Sequence, residues 1–201
     1  MVSHAYLILG PPDSSLKWFK YFNNIAYQVS DDIFSLTELE HCILRANMTY
    51  PSQLFSKFVI PKTKFRCALD STNDYRINFA LNCGSTSIPP TIHVFETGML
   101  EYQLDEASRI YLESTTSRLT SSGTLILNVP RVVQWFADDF GDDQTSRLNS
   151  IRPYLPKDIA EEVDKARRCE LKYQPFCFEC RPVTIHTPSS MESKNMSSSS
   201  T

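Results

Sequence analysis

The stretch Thr124-Leu-Ile-Leu-Asn-Val129 runs without a spacer into Pro130. It reads as a β-strand, and proline is favoured at the first position of a helix because the amide it lacks has no partner there. Val132, Val133, Trp135 and Phe136 follow as the apolar side of that helix, and Gly141 fits its C-terminal cap. Any fold for this chain must therefore pass from strand to helix at this point, with Trp135 anchoring the core.

The other patterns are mixed in the same way. Trp18, Phe19, Phe22 and Ile25 fall on one helical face after Asp13-Ser14-Ser15, and a short extended piece follows to Val29. Ser35-Leu36-Thr37-Glu38 is a capping box, in which the serine and glutamate side chains each satisfy an orphan amide. The helix it opens runs to about residue 46 and buries Leu36, Leu39, Ile43 and Leu44. Glu40 lies inside that stripe and His41 well off it. An inward carboxylate needs a cationic or hydrogen-bonding partner, here Arg45 or Arg76. Residues 48–75 form a loop-rich connection with one helical turn near Gln53 to Phe58. Ile77, Phe79, Leu81 and Cys83 then alternate with Arg76, Asn78, Ala80 and Asn82, the period of a strand with one buried face. Gly84 to Pro90 is its exit loop and Thr91 to Phe95 a second strand. Helices are expected at about 98–113, 145–155 and 157–168, and a last strand at 170–176. The sum is α+β, a small mixed sheet packed with about five to six helices. The domain occupies 1–183, and the Ser-rich residues 184–201 form a disordered tail.

Composition narrows the function classes. The 201 residues carry a net charge of −3, which gives no drive toward nucleic acid, and only 5 glycines, which disfavours a glycine-rich nucleotide site. Ala5 to Gly10 is far shorter than the roughly 20 residues that span a bilayer, so no membrane is expected. It also lacks the basic start of a secretory signal and ends in Pro11-Pro12. The chain reads as cytoplasmic, its six cysteines as reduced thiols.

The candidate constellations are few. Cys177-Phe178-Glu179-Cys180, with Cys169 before it and His186 after, offers the thiolate and imidazole donors of a tetrahedral zinc site, though as a single knuckle. A redox reading of the same C-x-x-C lacks the strand-to-helix context it needs. Cys83 is a candidate nucleophile with His4, His41 or His93 as base, although its place on an apolar face favours an inert thiol. The loop Gly84-Ser85-Thr86-Ser87 offers amides to a phosphate, without a lysine. Asp138-Asp139 and Asp142-Asp143 read as solvated charge, with Asp139 able to cap a neighbouring element. No cofactor is implied.

FSLTELEHCILRAN (34–47), DYRINFALNCGSTSIPPTIHVF (74–95), LDEASRIYL (104–112) and VVQWFADDFG (132–141) occur in this order and spacing. Together they resemble the domain of unknown function 547 family, found in plant leucine-zipper proteins resembling ternary complex factors and behind DEP and glutaredoxin-like domains. The resemblance covers about residues 4–180 and brings no mechanism with it. The family's Asn-x-Tyr-Asn-Ala-x-x-x-His pattern is met only at its last position, His4. The chain thus reads as N-terminally truncated relative to the family, completed by a protein partner or a missing N-terminal segment. The closing strand departs from the family's Tyr-Asp-Trp-like pattern at Tyr173-Gln174-Pro175. Asn78 stands where the family usually has His, and Ile88 where it usually has Cys. Cys83 and His41 match. The resemblance therefore implies a site that lacks a base and a thiol here. The leading expectation is a non-enzymatic interaction or regulatory module. One alternative is a Cys–His hydrolase- or transferase-like enzyme around Cys83. Another is a zinc-binding structural domain through Cys169, Cys177, Cys180 and His186.

Overall fold

The computed structural model describes residues 2–10, 12, 15–52, 60–61, 65, 67–68, 73–179, 181 and 183–186. It is a mixed α and β structure with nine helices and three small sheets among the described residues. The turn expected near Gln53 to Phe58, the residues Asp13 and Ser14, and the expected tail from 187 on lie outside them.

The centre is a three-stranded sheet of β4 (Ser117–Ser121), β5 (Thr124–Val129) and β6 (Cys169–Tyr173), in the order β4-β5-β6. β4 and β5 form an antiparallel hairpin, and β6 joins β5 in parallel with Leu127 opposite Leu171. β5 alternates: Leu125, Leu127 and Val129 are at most 4% exposed. They pack with Tyr111 and Leu112 of the long helix α5 (Leu100–Thr115) and with Phe79, Phe140, Ile151 and Leu171. The strand expected at 170–176 is thus shorter, and β4 was not expected, because all five of its residues are exposed and show no apolar period.

Helix α1 (Val2–Leu9) and α2 (Ser15–Asn24) precede a hairpin of β1 (Ala26–Val29) and β2 (Asp32–Ser35). The capping box then forms: Glu38 N–H donates to Ser35 Oγ at 3.1 Å, and Ser35 N–H to Glu38 Oε2 at 2.9 Å. Helix α3 (Leu36–Glu38) continues into one wide π-helical segment, Leu39–Leu44, closed by Arg45 N–H donating to Glu40 O. The extra residue per turn separates two groups of side chains. Glu40, His41 and Leu44 line a cavity, while Cys42 is buried with its thiol donating to Pro61 O at 3.3 Å.

The strand expected at 76–83 is not formed. Residues Ile77–Ala80 make one helical turn, α4, and the chain becomes extended only at Leu81. Asp74 starts the turn, since its side chain accepts from Arg76 N–H at 3.0 Å and its carbonyl from Ile77 N–H at 3.1 Å. Asn78 and Phe79, on opposite sides of the expected alternation, are both 3% exposed while Ile77 and Ala80 are half-buried, so burial does not follow the period-two pattern. Short β3 (Thr91–His93) pairs in parallel with β7 (Thr184–His186), three residues that were expected to begin the tail.

Beyond Val129 the expected helix is broken in two. Helix α6 (Val132–Trp135) ends at Phe136, whose φ of −112° and ψ of 39° break the helix, and α7 (Ala137–Phe140) follows. Helix α8 (Gln144–Ile151), a 3₁₀ turn (Arg152–Tyr154) and α9 (Lys157–Lys165) return the chain to β6. No helix among the described residues is long and apolar enough to cross a membrane.

Candidate functional site

At the carboxyl end of β5, the break at Phe136 returns the chain toward the π segment and α4. A cavity of about 450 Å³ opens there, walled by α2, the π segment, α4 and its extension to Cys83, α6, and the extended chain at Phe176 and Phe178. Its surface is mainly aliphatic and aromatic. Both tryptophans of the chain, Trp18 and Trp135, stand in the wall. Trp18 stacks on Phe22 with ring centroids 5.0 Å apart, and Trp135 meets Phe176 at 4.7 Å.

Behind that wall lies a buried ionic network. Arg45 Nη2 donates to Asp139 Oδ2 at 2.6 Å, with the two side chains 1% and 0% exposed. Asp139 Oδ1 accepts from Thr49 N–H at 3.0 Å and Thr49 Oγ1–H at 2.6 Å, and Oδ2 also accepts from Asn78 Nδ2–H at 3.1 Å. Arg45 further donates to Thr49 O and to His41 Nδ1, and its guanidinium lies 3.6 Å over the Phe136 ring. Burial pushes the Arg45 guanidinium down, while Glu40 and Asp139 favour its charged form. Asp139 is thus a capping and pairing carboxylate. The solvated reading of Asp138-Asp139 is corrected for this residue, which is 8% exposed as a whole. Its partners lie 61 to 94 residues away in sequence, so no local signal marks it.

His41 stands between this network and the cavity. Since Arg45 donates to Nδ1, a neutral His41 carries its proton on Nε2, which lies 3.7 Å from Glu40 Oε1. Burial first, and the Arg45 charge third, push the imidazole down; Glu40, second in size, pushes it up. Glu40 itself is 28% exposed at the side chain and pairs with neither arginine in a close contact. Arg76 is engaged elsewhere, with Asp74 at 2.6 Å, Glu101 at 2.5 Å and Asp105 at 2.8 Å.

Cys83 and His41 both line the cavity, as do Asn78 and Ile88. His4 does not: it is exposed, with Nδ1 3.0 Å from the Tyr27 hydroxyl. The chain reaches Cys83 through its backbone, where Tyr6 O–H donates to Cys83 O at 2.8 Å.

The loop after Cys83 is closed to phosphate. Gly84 N–H donates to Asn82 Oδ1, Thr86 N–H to Glu179 O, Ser87 N–H to Ser85 Oγ and Ile88 N–H to Ser85 O. The Thr86 amide holds the loop against the 177–179 segment, where Ser85 O–H also donates to Cys177 O, and the other three close the loop on itself. Of the zinc candidates, Cys169 sits on β6 against the core and Cys177 is exposed. Cys180 and the His186 side chain lie outside the described residues. No group of three or more His, Cys, Asp or Glu side chains suited to a metal occurs among the described residues.

The profile of the family described as "Protein of unknown function, DUF547" matches residues 1–112. The chain belongs to this family. No curated protein and no solved structure matches it. The matched segment holds the cavity side chains His41, Asn78, Cys83 and Ile88. Asp139, which fixes Asn78 and Arg45, comes from beyond it, as does the VVQWFADDFG motif.

Proposed function

We propose that the domain is a non-enzymatic interaction module whose cavity receives an apolar ligand, with the buried network holding the cavity's shape. One observation carries this reading. The side chain that the Asp139 carboxylate orients at the cavity wall is Asn78, which does not titrate, and the Ile88 side chain, also in the wall, neither attacks nor ligates. An arrangement that would otherwise place a titrating group against an apolar cleft supplies only a fixed amide. The His41 imidazole in the same wall is engaged by Arg45 on one nitrogen and faces Glu40 on the other, and Arg45 is paired with Asp139.

The volume falls in the range of about 300–1,000 Å³ typical of small-molecule sites, and the apolar wall favours burial of hydrocarbon. The test is a titration with n-butylbenzene, followed by tryptophan emission, since both indoles line the cavity. Saturable quenching or shift is the expected result; emission that does not respond up to the solubility limit overturns the reading.

A second reading rests on the sharing of one cavity by Cys83 and His41. A nucleophilic Cys83 would be alkylated by iodoacetamide at pH 7 faster than the exposed Cys67 and Cys177. The non-enzymatic reading expects Cys83 to react no faster than either.

A further inference from the structure

The central sheet ends in an open edge. Its order is β4-β5-β6, and all five residues of β4, Ser117 to Ser121, are exposed. No strand lies beyond β4 among the described residues. The hairpin turn fixes which main-chain groups that edge carries. Ser122 and Gly123 have φ of 50° and 77°, the two-residue turn whose twist suits a β-hairpin. Such a turn makes Ser121 and Thr124 a pair that exchanges hydrogen bonds, and the register runs on without a bulge through Leu119 with Ile126 to Ser117 with Asn128. Ser117, Leu119 and Ser121 therefore bond β5, and the N–H and C=O groups of Arg118 and Thr120 point outward.

Edges of this kind are usually guarded by lysine, proline, a bulge or a covering element. β4 has no lysine, proline or bulge. Its one charge, Arg118, is balanced within its own chain: Nη1 donates to Asp158 Oδ2 at 2.6 Å and Nε to Glu162 Oε2 at 3.0 Å, both on α9. Arg118 and Thr120 lie on the core face, opposite Leu127 and Leu125. Leu119 lies on the other face beside Ile126 and is 59% exposed.

The strand is complementary to itself. Antiparallel pairing with a second copy about Leu119 sets Ser117 opposite Ser121, Arg118 opposite Thr120 and Leu119 opposite Leu119. No like charges meet, because each arginine faces a threonine. The ladder agrees with this register. Arg118 and Thr120 of opposite copies exchange hydrogen bonds through their outward groups, while the two leucines form the non-hydrogen-bonded pair, in which side chains lie closest. Ile126 and Leu119 of one copy then continue into Leu119 and Ile126 of the other as one apolar row. Moving the axis to Arg118 sets the two arginines opposite each other, and moving it to Thr120 sets Arg118 against the turn residue Ser122. We propose that β4 is a self-association edge, through which two copies of this chain pair antiparallel about a two-fold axis at Leu119 and join their sheets into one. The pairing is closed, since the same strand serves both copies. Five residues cover less than the about 800 Å² per partner of a standard interface, so the dimer is concentration-dependent.

The test is sedimentation velocity of the full chain at pH 7 from about 5 µM to about 500 µM, a range suited to a small interface. The mass is expected to rise from that of one chain, 23.0 kDa, toward twice that value and no further. Leu119→Lys sets two ammonium groups opposite each other at the axis and is expected to weaken the dimer at least about tenfold. Ile33→Lys, at an apolar position of β2 that is 70% exposed, is expected to leave it unchanged. Hydrogen exchange on the wild type reads the same edge without a substitution: the Arg118 and Thr120 amides are expected to gain protection as concentration rises. Should Leu119→Lys not fold, that exchange decides, and unchanged rates in the dimer overturn the inference. A chain still monomeric at the highest concentration overturns it. So does a dimer that survives Leu119→Lys, one lost equally with Ile33→Lys, or an assembly that grows beyond two copies.

Discussion

Asp139→Ala removes the carboxylate that is paired with a fully buried arginine. In the native protein Asp139 accepts four hydrogen bonds, from Arg45, from Thr49 twice and from Asn78. Alanine leaves the Arg45 guanidinium, 1% exposed at the side chain, with Thr49 O, His41 Nδ1 and the Phe136 face as its remaining neighbours. Removing one partner of a buried ion pair typically costs about 3–5 kcal/mol, since the other charge stays buried without its counter-charge. A whole domain is stable by only about 5–15 kcal/mol, so the variant should lie near the edge of folding. For a chain of this length the loss corresponds to a fall in Tm of roughly 6–20 °C. Urea unfolding at pH 7, followed by tryptophan emission, measures it directly. The double replacement Arg45→Met with Asp139→Leu removes both charges together and should be clearly more stable than Asp139→Ala, because no buried charge is then left alone. A loss below about 1 kcal/mol for Asp139→Ala, the value of a surface pair, would refute the reasoning. So would a double variant less stable than the single one.

Two further perturbations test the close approach of α1 and the environment of His41. Gly84 has a φ of +75°, and a Cβ there would lie 2.9 Å from Cε2 of Tyr6, so Gly84→Ala should destabilise by roughly 1–3 kcal/mol in the same urea assay; an unchanged midpoint would contradict the close approach of α1. The imidazole of His41 is pushed down mainly by burial, so the unfolded chain, with a His pKa near ~6.5, takes up the proton first. The contribution of His41 is therefore full above that pH and is lost as pH falls below it toward the lower folded value. Wild type should lose more stability than His41→Gln between pH 7.5 and 5.5, and equal losses would show that His41 titrates as a solvated group.

What local sequence could determine here, it did. Thr124–Val129 became β5 because its alternating side chains meet α5 on one face, and Ser35 and Glu38 capped α3 because a capping box needs only four consecutive residues. Pro130 and Gly141 likewise bracketed the helical stretch, since their backbone restrictions act on their own φ. The family motifs also brought Cys83, His41, Asn78 and Ile88 to notice one by one. Tertiary structure decided the rest. It made Ile77–Ala80 a helical turn that buries the adjacent Asn78 and Phe79 together, which an alternating strand with one buried face would not do. It split the 130–141 helix at Phe136, and that break sets Asp139 opposite an arginine 94 residues earlier. A carboxylate beside another in an Asp-Asp pair looks solvated until its partner is known, because ionic pairing at such separation leaves no periodic trace in the chain. The cavity is hidden for the same reason: its wall is drawn from α2, the π segment, α4, α6 and the chain after β6, and an apolar residue facing a void has the same sequence pattern as one facing a filled core.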